Sequence, residues 1–198
     1  MIAILDYGSG NLHSAERAFA LAHPQVVVTS DPEICIKADG LVVPGVGAFE
    51  ACMNQFLTAG ADRIVAARIA AQLPIFGICV GMQILFTRGN EKAGSAGLAI
   101  WPGEVDQLAA PVLPHIGWNT VVPGEGSTLF RGIGDQSFYF VHSFAAKHVV
   151  PGAINSITNY GEDFISAVET PLVSATQFHP EKSGAAGATL IKNWAATL

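Results

Sequence analysis

The segment Gly77-Ile78-Cys79-Val80-Gly81 constrains the fold of this chain more than any other. It follows the apolar run Leu73-Pro74-Ile75-Phe76 and leads into Met82-Gln83-Ile84-Leu85-Phe86, which reads as helix. Glycines two positions to either side of a nucleophile-capable residue, where strand gives way to helix, specify a nucleophile elbow. The turn is too sharp for flanking side chains, and it lifts the central residue clear of the sheet.

The first half of the chain supplies a sheet for that elbow. Met1 to Leu5 is a buried strand, and Asp6 to Gly10 is a turn. Asn11 caps a helix to about Ala22 that carries Leu12, Ala15, Phe19 and Ala22 on one face. Val26 to Val28 is a second strand. Asp31 and Pro32 form the cap and first position of a short helix. Gly40 to Pro44 is a third strand, Phe49 to Thr58 and Asp62 to Gln72 are helical, and Pro74 to Ile78 is the fourth strand. Apolar strands interleaved with amphipathic helices describe a parallel sheet covered on both faces. Ligands of such sheets bind beyond the carboxyl ends of the strands, where the Pro44 to Gly47 turn and Cys79 both fall. From Gly97 to Ser174 short alternating segments take over, at Val112 to Trp118, Phe138 to Phe144 and Phe164 to Val168. They predict antiparallel strands and hairpins added to the sheet, followed by a strand from Val173 to Phe178 and a closing helix from Gly187 to Trp194.

With 198 residues and no linker or repeat, the chain reads as one domain over residues 1–198. Half of it is hydrophobic and only 13% is charged, so much of it belongs inside or against a partner. No stretch reaches the roughly 20 apolar residues of a membrane span, and the start lacks the pattern of a signal peptide. A net charge of -6 offers no basic surface to nucleic acid. Three cysteines without CxxC spacing argue against a disulfide framework and against a zinc site, and they suit a reducing cytoplasm.

Three segments carry chemistry. A helix starting after Cys79 turns its N–H groups and positive end toward the sulfur and favours the thiolate, whereas Cys35 and Cys52 lack this frame and read as structural. His179 follows the strand Val173 to Phe178, which brings it to the same sheet edge as Cys79. Glu181, two residues on, lies on the same side of an extended segment and can hold the imidazole tautomer. Pro44-Gly45-Val46-Gly47-Ala48-Phe49 lacks the Lys-Ser/Thr of a phosphate loop. It reads better as an oxyanion hole, with N–H groups from the turn at Val46 and Gly47 acting together with that of Val80. Asp6-Tyr7-Gly8-Ser9-Gly10-Asn11 can be a phosphate loop, but a tight turn between strand and helix is the plainer reading.

Gly77 to Gln83, together with Phe178-His179-Pro180-Glu181-Lys182-Ser183, resembles the class I (triad) glutamine amidotransferases. Within that family, Asp6 to Asn11, Pro44 to Phe49, Pro114-His115-Ile116-Gly117-Trp118-Asn119 and Tyr139-Phe140-Val141-His142-Ser143 are similar to the glutaminase subunits of imidazole glycerol phosphate synthase, over essentially the whole chain. The resemblance implies a flavodoxin-like three-layer α/β/α fold and no cofactor. It implies hydrolysis of L-glutamine to glutamate and ammonia by a Cys79-His179-Glu181 triad. Its partner would be a (β/α)8-barrel cyclase subunit in a heterodimer, receiving ammonia through a channel for histidine biosynthesis.

By the same resemblance Gln83, Glu91, Ser143 and Phe144 contact substrate, relatives often carrying Tyr in place of Phe144. The Val46 peptide reorients to complete the oxyanion hole, and Asn11, Trp118, Asn119, Tyr139 and Lys182 face the cyclase. For Trp118, a core aromatic is an equal alternative. This chain departs from many relatives in lacking a basic residue just before Pro114 and in an Ala/Gly-rich loop from Arg88 to Gly97. Competing functions are a different class I amidotransferase, a cysteine hydrolase on a similar fold, and a non-catalytic binding subunit. The intact Cys79, His179 and Glu181 argue against the last.

Overall fold

The computed structural model describes all 198 residues. In chain order, β1 (Ile2–Leu5), α1 (Leu12–Ala20), β2 (Val26–Thr29), α2 (Pro32–Lys37), β3 (Gly40–Gly45), α3 (Phe49–Thr58), α4 (Ala61–Ala70) and β4 (Ile75–Cys79) give the alternation read from the sequence. A short α5 (Val80–Gln83) follows, then β5 (Arg88–Gly89), β6 (Ser95–Ala96), β7 (Glu104–Gln107), β8 (His115–Thr120), β9 (Ser137–His142) and β10 (Phe144–Ala146). The chain closes with β11 (Ile154–Tyr160), β12 (Glu162–Glu169), β13 (Val173–Thr176), a 3-10 turn at Pro180–Lys182 and α6 (Gly184–Ala195).

The main sheet runs β11-β12-β13-β4-β3-β1-β2. From β13 to β2 all neighbours are parallel, and β12 and β11 extend the β13 edge antiparallel. The parallel part has the doubly wound, flavodoxin-like order, which puts its ligand crevice at the carboxyl ends of the strands. β1, β3 and β4 are buried at every residue, as strands sandwiched between helices must be. On one face α1 and α6 pack together, with Phe19, Phe76 and Trp194 in mutual edge or tilted contact. On the other, α4 packs on α2 and α3. There the fully buried Arg68 donates from its guanidinium to the carbonyls of Cys35, Ala38 and Pro74 at 2.9, 2.8 and 2.7 Å, stitching α2 and the entry to β4 onto α4. The caps are those the sequence specifies: Asn11 Oδ1 accepts from the Ser14 N–H, and Asp31 Oδ1 from the Glu33 N–H. No helix is long and apolar enough to cross a membrane.

Two expectations need correction. Of the antiparallel strands expected to be added in the second half, only β11 and β12 join the main sheet, beside the parallel β13. β8 and β9 pair with each other as a separate two-stranded ribbon, and β10, β7, β5 and β6 form another small sheet. The ribbon's alternation explains this: His115, Phe138, Phe140 and His142 face inward, while Ile116 and Trp118 stand 60% exposed. A strand with one wet face closes a local layer and does not extend a doubly covered sheet. The helix expected to run through Phe86 also closes after Gln83, so its dipole at Cys79 is that of a single turn.

Candidate active site

In the register of β3 against β4, Gly45 lies opposite Cys79. A Cβ at Gly45 would come within 2.4 Å of the Gly81 nitrogen, and one at Gly81 within 2.0 Å of the Val43 oxygen. Both positions are therefore glycine because two backbones touch. Between them the chain turns so sharply that Cys79 takes φ 56° and ψ −114°, a conformation that costs about 1–3 kcal/mol and marks an elbow. Cys79 is 3% exposed and stands at the head of the strand.

β13 lies beside β4 with Thr176 opposite Ile78, so the chain leaving β13 passes Cys79. The His179 N–H donates to the Tyr139 carbonyl at 2.9 Å, and Ser183 Oγ donates to the His179 carbonyl at 2.6 Å, fixing the backbone on both sides. Nδ1 of His179 donates to Glu181 Oε1 at 2.7 Å, a direction the carboxylate dictates because it only accepts. Nε2 is thereby left for the thiol. The segment is not extended as expected: Pro180 opens a 3-10 turn, and this turn folds Glu181 back under the ring. Burial by itself would lower the His179 pKa, but interaction with Cys79 and Glu181 outweighs it and raises the group to about 10. The imidazolium is the favoured form between a sulfur and a carboxylate.

Cys79 and His179 open into a cavity of about 400 Å³, also lined by Val46, Gly47, Val80, Gln83, Glu91, Ser143, Phe144 and Lys182. This volume suits a small metabolite. Gln83 is buried, and its Nε2 donates to the Phe144 carbonyl at 2.8 Å and to Gln177 Oε1 at 2.9 Å, leaving only its own oxygen free to accept. Glu91 Oε2 accepts from the Phe49 N–H at 3.0 Å and so caps α3, whose cap residue Ala48 has no side chain to do it.

The Pro44 to Phe49 turn, the candidate oxyanion turn, is held in a particular state. Ser9 Oγ accepts from the Val46 N–H and donates to the Val46 carbonyl, each at 3.3 Å. Beside it, Tyr7 Oη donates to the Pro44 carbonyl, and a Cβ at Gly10 would meet Pro44 at 2.9 Å. The Asp6 to Asn11 loop is thus a tight turn packed on the β3–α3 turn. Gly47 sits at φ +85° in open space, so the left-handed backbone is what demands glycine there.

Around the mouth, Trp118 meets Tyr139 edge-on at 6.2 Å and Lys182 Nζ lies 6.0 Å over the Tyr139 ring. Trp118 is exposed, which removes the core reading. Asn119 turns inward, donating to His115 Nε2 at 3.3 Å and to the Asn159 carbonyl at 3.0 Å. Asn11 is exposed at the start of α1. Sequence reasoning missed Gln177, Ser9, His115 and His142 as members of the site. Ser9, His115 and His142 lie inside the family motifs and Gln177 in the strand before His179, but only the fold shows which way their side chains face. A second cavity, of about 440 Å³, opens beside Pro74, Leu172 and Trp194 at the opposite end of the strands. Its carboxylate, Glu169, already accepts from Ser127 Oγ and the N–H groups of Thr128 and Leu129, which leaves no reactive group there.

A cysteine at a strained elbow, an imidazolium held by a carboxylate and a glycine turn at the head of a doubly wound sheet define a triad amidase on an α/β scaffold. Residues 3–198 match the family model described as "Glutamine amidotransferase class-I", and the chain belongs to that family. It is 53% identical over 197 residues to the "Imidazole glycerol phosphate synthase subunit HisH" of Mycolicibacterium paratuberculosis, covering 98% of this chain and 96% of that protein. It is 53% identical over 206 residues to the subunit of the same name from Nocardia farcinica, covering 100% and 98%. Two solved structures share the fold. One, a "glutamine amidotransferase", has a TM-score of 0.78 at 17% identity over 99% of this chain and 97% of that one. The other, a Trypanosoma brucei glutaminase domain with bound acivicin, has a TM-score of 0.67 at 15% identity over 99% and 92%.

Proposed function

We propose that this chain is the glutaminase subunit of an imidazole glycerol phosphate synthase, a cytoplasmic enzyme of histidine biosynthesis acting as one amidotransferase domain over residues 1–198. The observation that carries the reading is the Cys79-His179-Glu181 constellation at the mouth of a glutamine-sized cavity, in a chain about half identical to proteins of that name over nearly their whole length.

The thiolate of Cys79 attacks the side-chain carbonyl carbon of L-glutamine, and the carbonyl electron pair moves onto oxygen. N–H groups of Gly47 and Val80, joined by that of Val46 once its peptide turns, receive the oxyanion; such a donor is worth about 3–4 kcal/mol. The His179 imidazolium passes its Nε2 proton to the amide nitrogen, the C–N bond breaks, and ammonia leaves. Water then adds to the glutamyl thioester while His179 takes its proton, the C–S bond breaks, and glutamate departs. Glu181 keeps the imidazole in the tautomer both steps need. Gln83, Glu91, Ser143 and Phe144 orient the substrate, and Gln83 can do so only as an acceptor.

Ammonia is protonated to unreactive ammonium once it escapes into water, so production beside a sealed exit is the economical arrangement. The exposed Ile116 and Trp118, with Tyr139 and Lys182 at the cavity mouth, support a cyclase docking here; Asn11 is exposed as well, whereas the amide of Asn119 is held inward. The test is glutamate release with and without the cyclase and its nucleotide ligand. Cyclase plus ligand strongly enhances release in the wild type. Cys79→Ala abolishes glutamine-dependent turnover of the complex, by roughly 10⁴-fold or more, and leaves ammonia-dependent turnover intact. Retained glutaminase activity in Cys79→Ala ends the nucleophile assignment.

A further inference from the structure

The sulfur of Cys79 has a polar neighbour outside the triad. Gln177, the residue two before His179, is 1% exposed, and its Nε2 lies 3.8 Å from Cys79 Sγ, within hydrogen-bonding reach of sulfur. Side-chain amides can be read either way round, but here the surroundings leave one choice.

The Phe144 carbonyl can only accept. The Gln83 atom 2.8 Å from it is therefore the amide nitrogen. The second hydrogen of that nitrogen points at Gln177, 2.9 Å away, so the Gln177 atom there is the oxygen. The other end of the Gln177 amide, the end facing sulfur, is then the NH2 group. The same carbonyl also accepts from His142 Nδ1 at 3.0 Å, which makes His142 Nε2 the acceptor for His115 Nδ1 at 3.1 Å. His115 Nε2 in turn accepts from Asn119. Two arms of hydrogen bonds meet at one backbone oxygen, and every donor in them is determined. One arm anchors the carbonyl to the β8–β9 ribbon, and the other ends on the nucleophile.

We infer that Gln177 is a fourth catalytic residue, whose side-chain N–H donates to the Cys79 sulfur, with Gln83 as the residue that orients it. In a buried site a donor aimed at sulfur favours the thiolate over the neutral thiol. It acts again when the glutamyl thioester is cleaved: the electron pair of the C–S bond goes to sulfur, and the Gln177 N–H donates a hydrogen bond to the thiolate that leaves. The single turn of α5 offers little dipole, and Gln177 supplies part of the stabilisation that a longer helix would give. The inference rests on Cys79 being the nucleophile, and its test does not require glutamine turnover.

Alkylation of Cys79 by iodoacetamide is followed across pH by mass spectrometry of its peptide, in the full chain carrying Gln177→Met or Gln177→Glu. Both side chains are close in size to glutamine; methionine removes the donor, and glutamate puts an acceptor in its place. In Gln177→Met the midpoint of the profile moves up by about one pH unit, so that alkylation below the midpoint slows roughly ten-fold. In Gln177→Glu it moves further. Gln83→Leu, which frees the amide to turn, gives a smaller shift in the same direction. Profiles in Gln177→Met and Gln177→Glu that overlay the wild type overturn the inference, and do so without touching the triad if glutamine turnover persists. Retained glutamine turnover in Cys79→Ala overturns the nucleophile reading instead.

Discussion

His179 at the head of β13 and the His115–His142 pair on the β8–β9 ribbon are all buried, yet the two regions treat an imidazole in opposite ways. On the ribbon, His115 stacks between Phe140 and Tyr160 at 4.8 and 4.0 Å, and burial lowers it to about 4. His142 is lowered by burial to about 3, its bond to the Phe144 carbonyl only partly opposing the shift. No carboxylate reaches either ring through a hydrogen bond or ion pair, and both are neutral at pH 7. At the strand end, burial pulls the same way, but a carboxylate at 2.7 Å and the cysteine reverse it. Burial sets the default for a histidine, and a charged partner decides whether that default survives. One outcome fits the proton transfers proposed for His179, and the other fits a scaffold of fixed polarity.

The most severe way to break this contrast is at the elbow that brings His179 its partner. In Gly81→Ala the new Cβ would meet the Val43 oxygen at 2.0 Å, and neither backbone can retreat without opening β3 from β4. A loss of about 3 kcal/mol or more in urea unfolding is expected, together with loss of glutamine turnover. The ribbon is a sheet separate from both strands, and the groups that set its histidines, Phe140, Tyr160 and the Phe144 carbonyl, lie outside the elbow, so their titration is expected to persist in whatever fraction folds. A Gly81→Ala protein of wild-type stability and activity would show that the close approach of the strands is not required.

Acid separates the two histidine environments more gently. The ribbon histidines have folded pKa values below the unfolded value of about 6.5. The unfolded chain therefore binds protons first as pH falls, and stability declines from pH 6.5 downward, by about 2 kcal/mol for each ring at pH 5. His179 has the opposite sign. Its folded pKa is raised to about 10, so its contribution is fully present below 6.5 and fades as pH rises toward 10. Urea unfolding across pH checks the sum, and NMR titration of the rings assigns it. In Glu181→Gln the His179 midpoint falls while those of His115 and His142 stay. A His179 midpoint that ignores Glu181 would show that the carboxylate does not set the contrast.

The same two regions differ in how far they can be read from the sequence. β1, β3 and β4 are apolar at nearly every position because helices cover both faces, so run length and the Asn11 and Asp31 caps were enough to find them. The elbow was legible because only glycine tolerates its backbone contacts. β8 and β9 alternate, and alternation shows that one face is wet without showing which layer the other face joins. The motif around His115 was visible, but its role depends on His142, 27 residues away, and on a carbonyl that no pattern marks. Glu181 reached His179 through a proline-led turn and not along an extended segment, so the pairing was right and the geometry was not. Arg68 was hidden for a similar reason, since its partners are backbone carbonyls.

The smallest expected effect tests how the proposed oxyanion turn, the third part of the strand-end region, is restrained. Ser9 Oγ grips both the N–H and the carbonyl of Val46, and both contacts are long at 3.3 Å. Val46 is 41% exposed and each contact is long, so loss of the hydroxyl disturbs the fold little. What changes is the freedom of the Val46 peptide to turn toward the cavity. Ser9→Ala therefore raises glutaminase activity of the chain alone by roughly five-fold, the equivalent of about 1 kcal/mol, and leaves the cyclase-bound rate nearly unchanged. The comparison is made at saturating glutamine, where the difference falls on kcat. An unchanged rate without cyclase would assign the restraint to the backbone of Gly47, already committed to a left-handed conformation, and would leave Ser9 as packing alone.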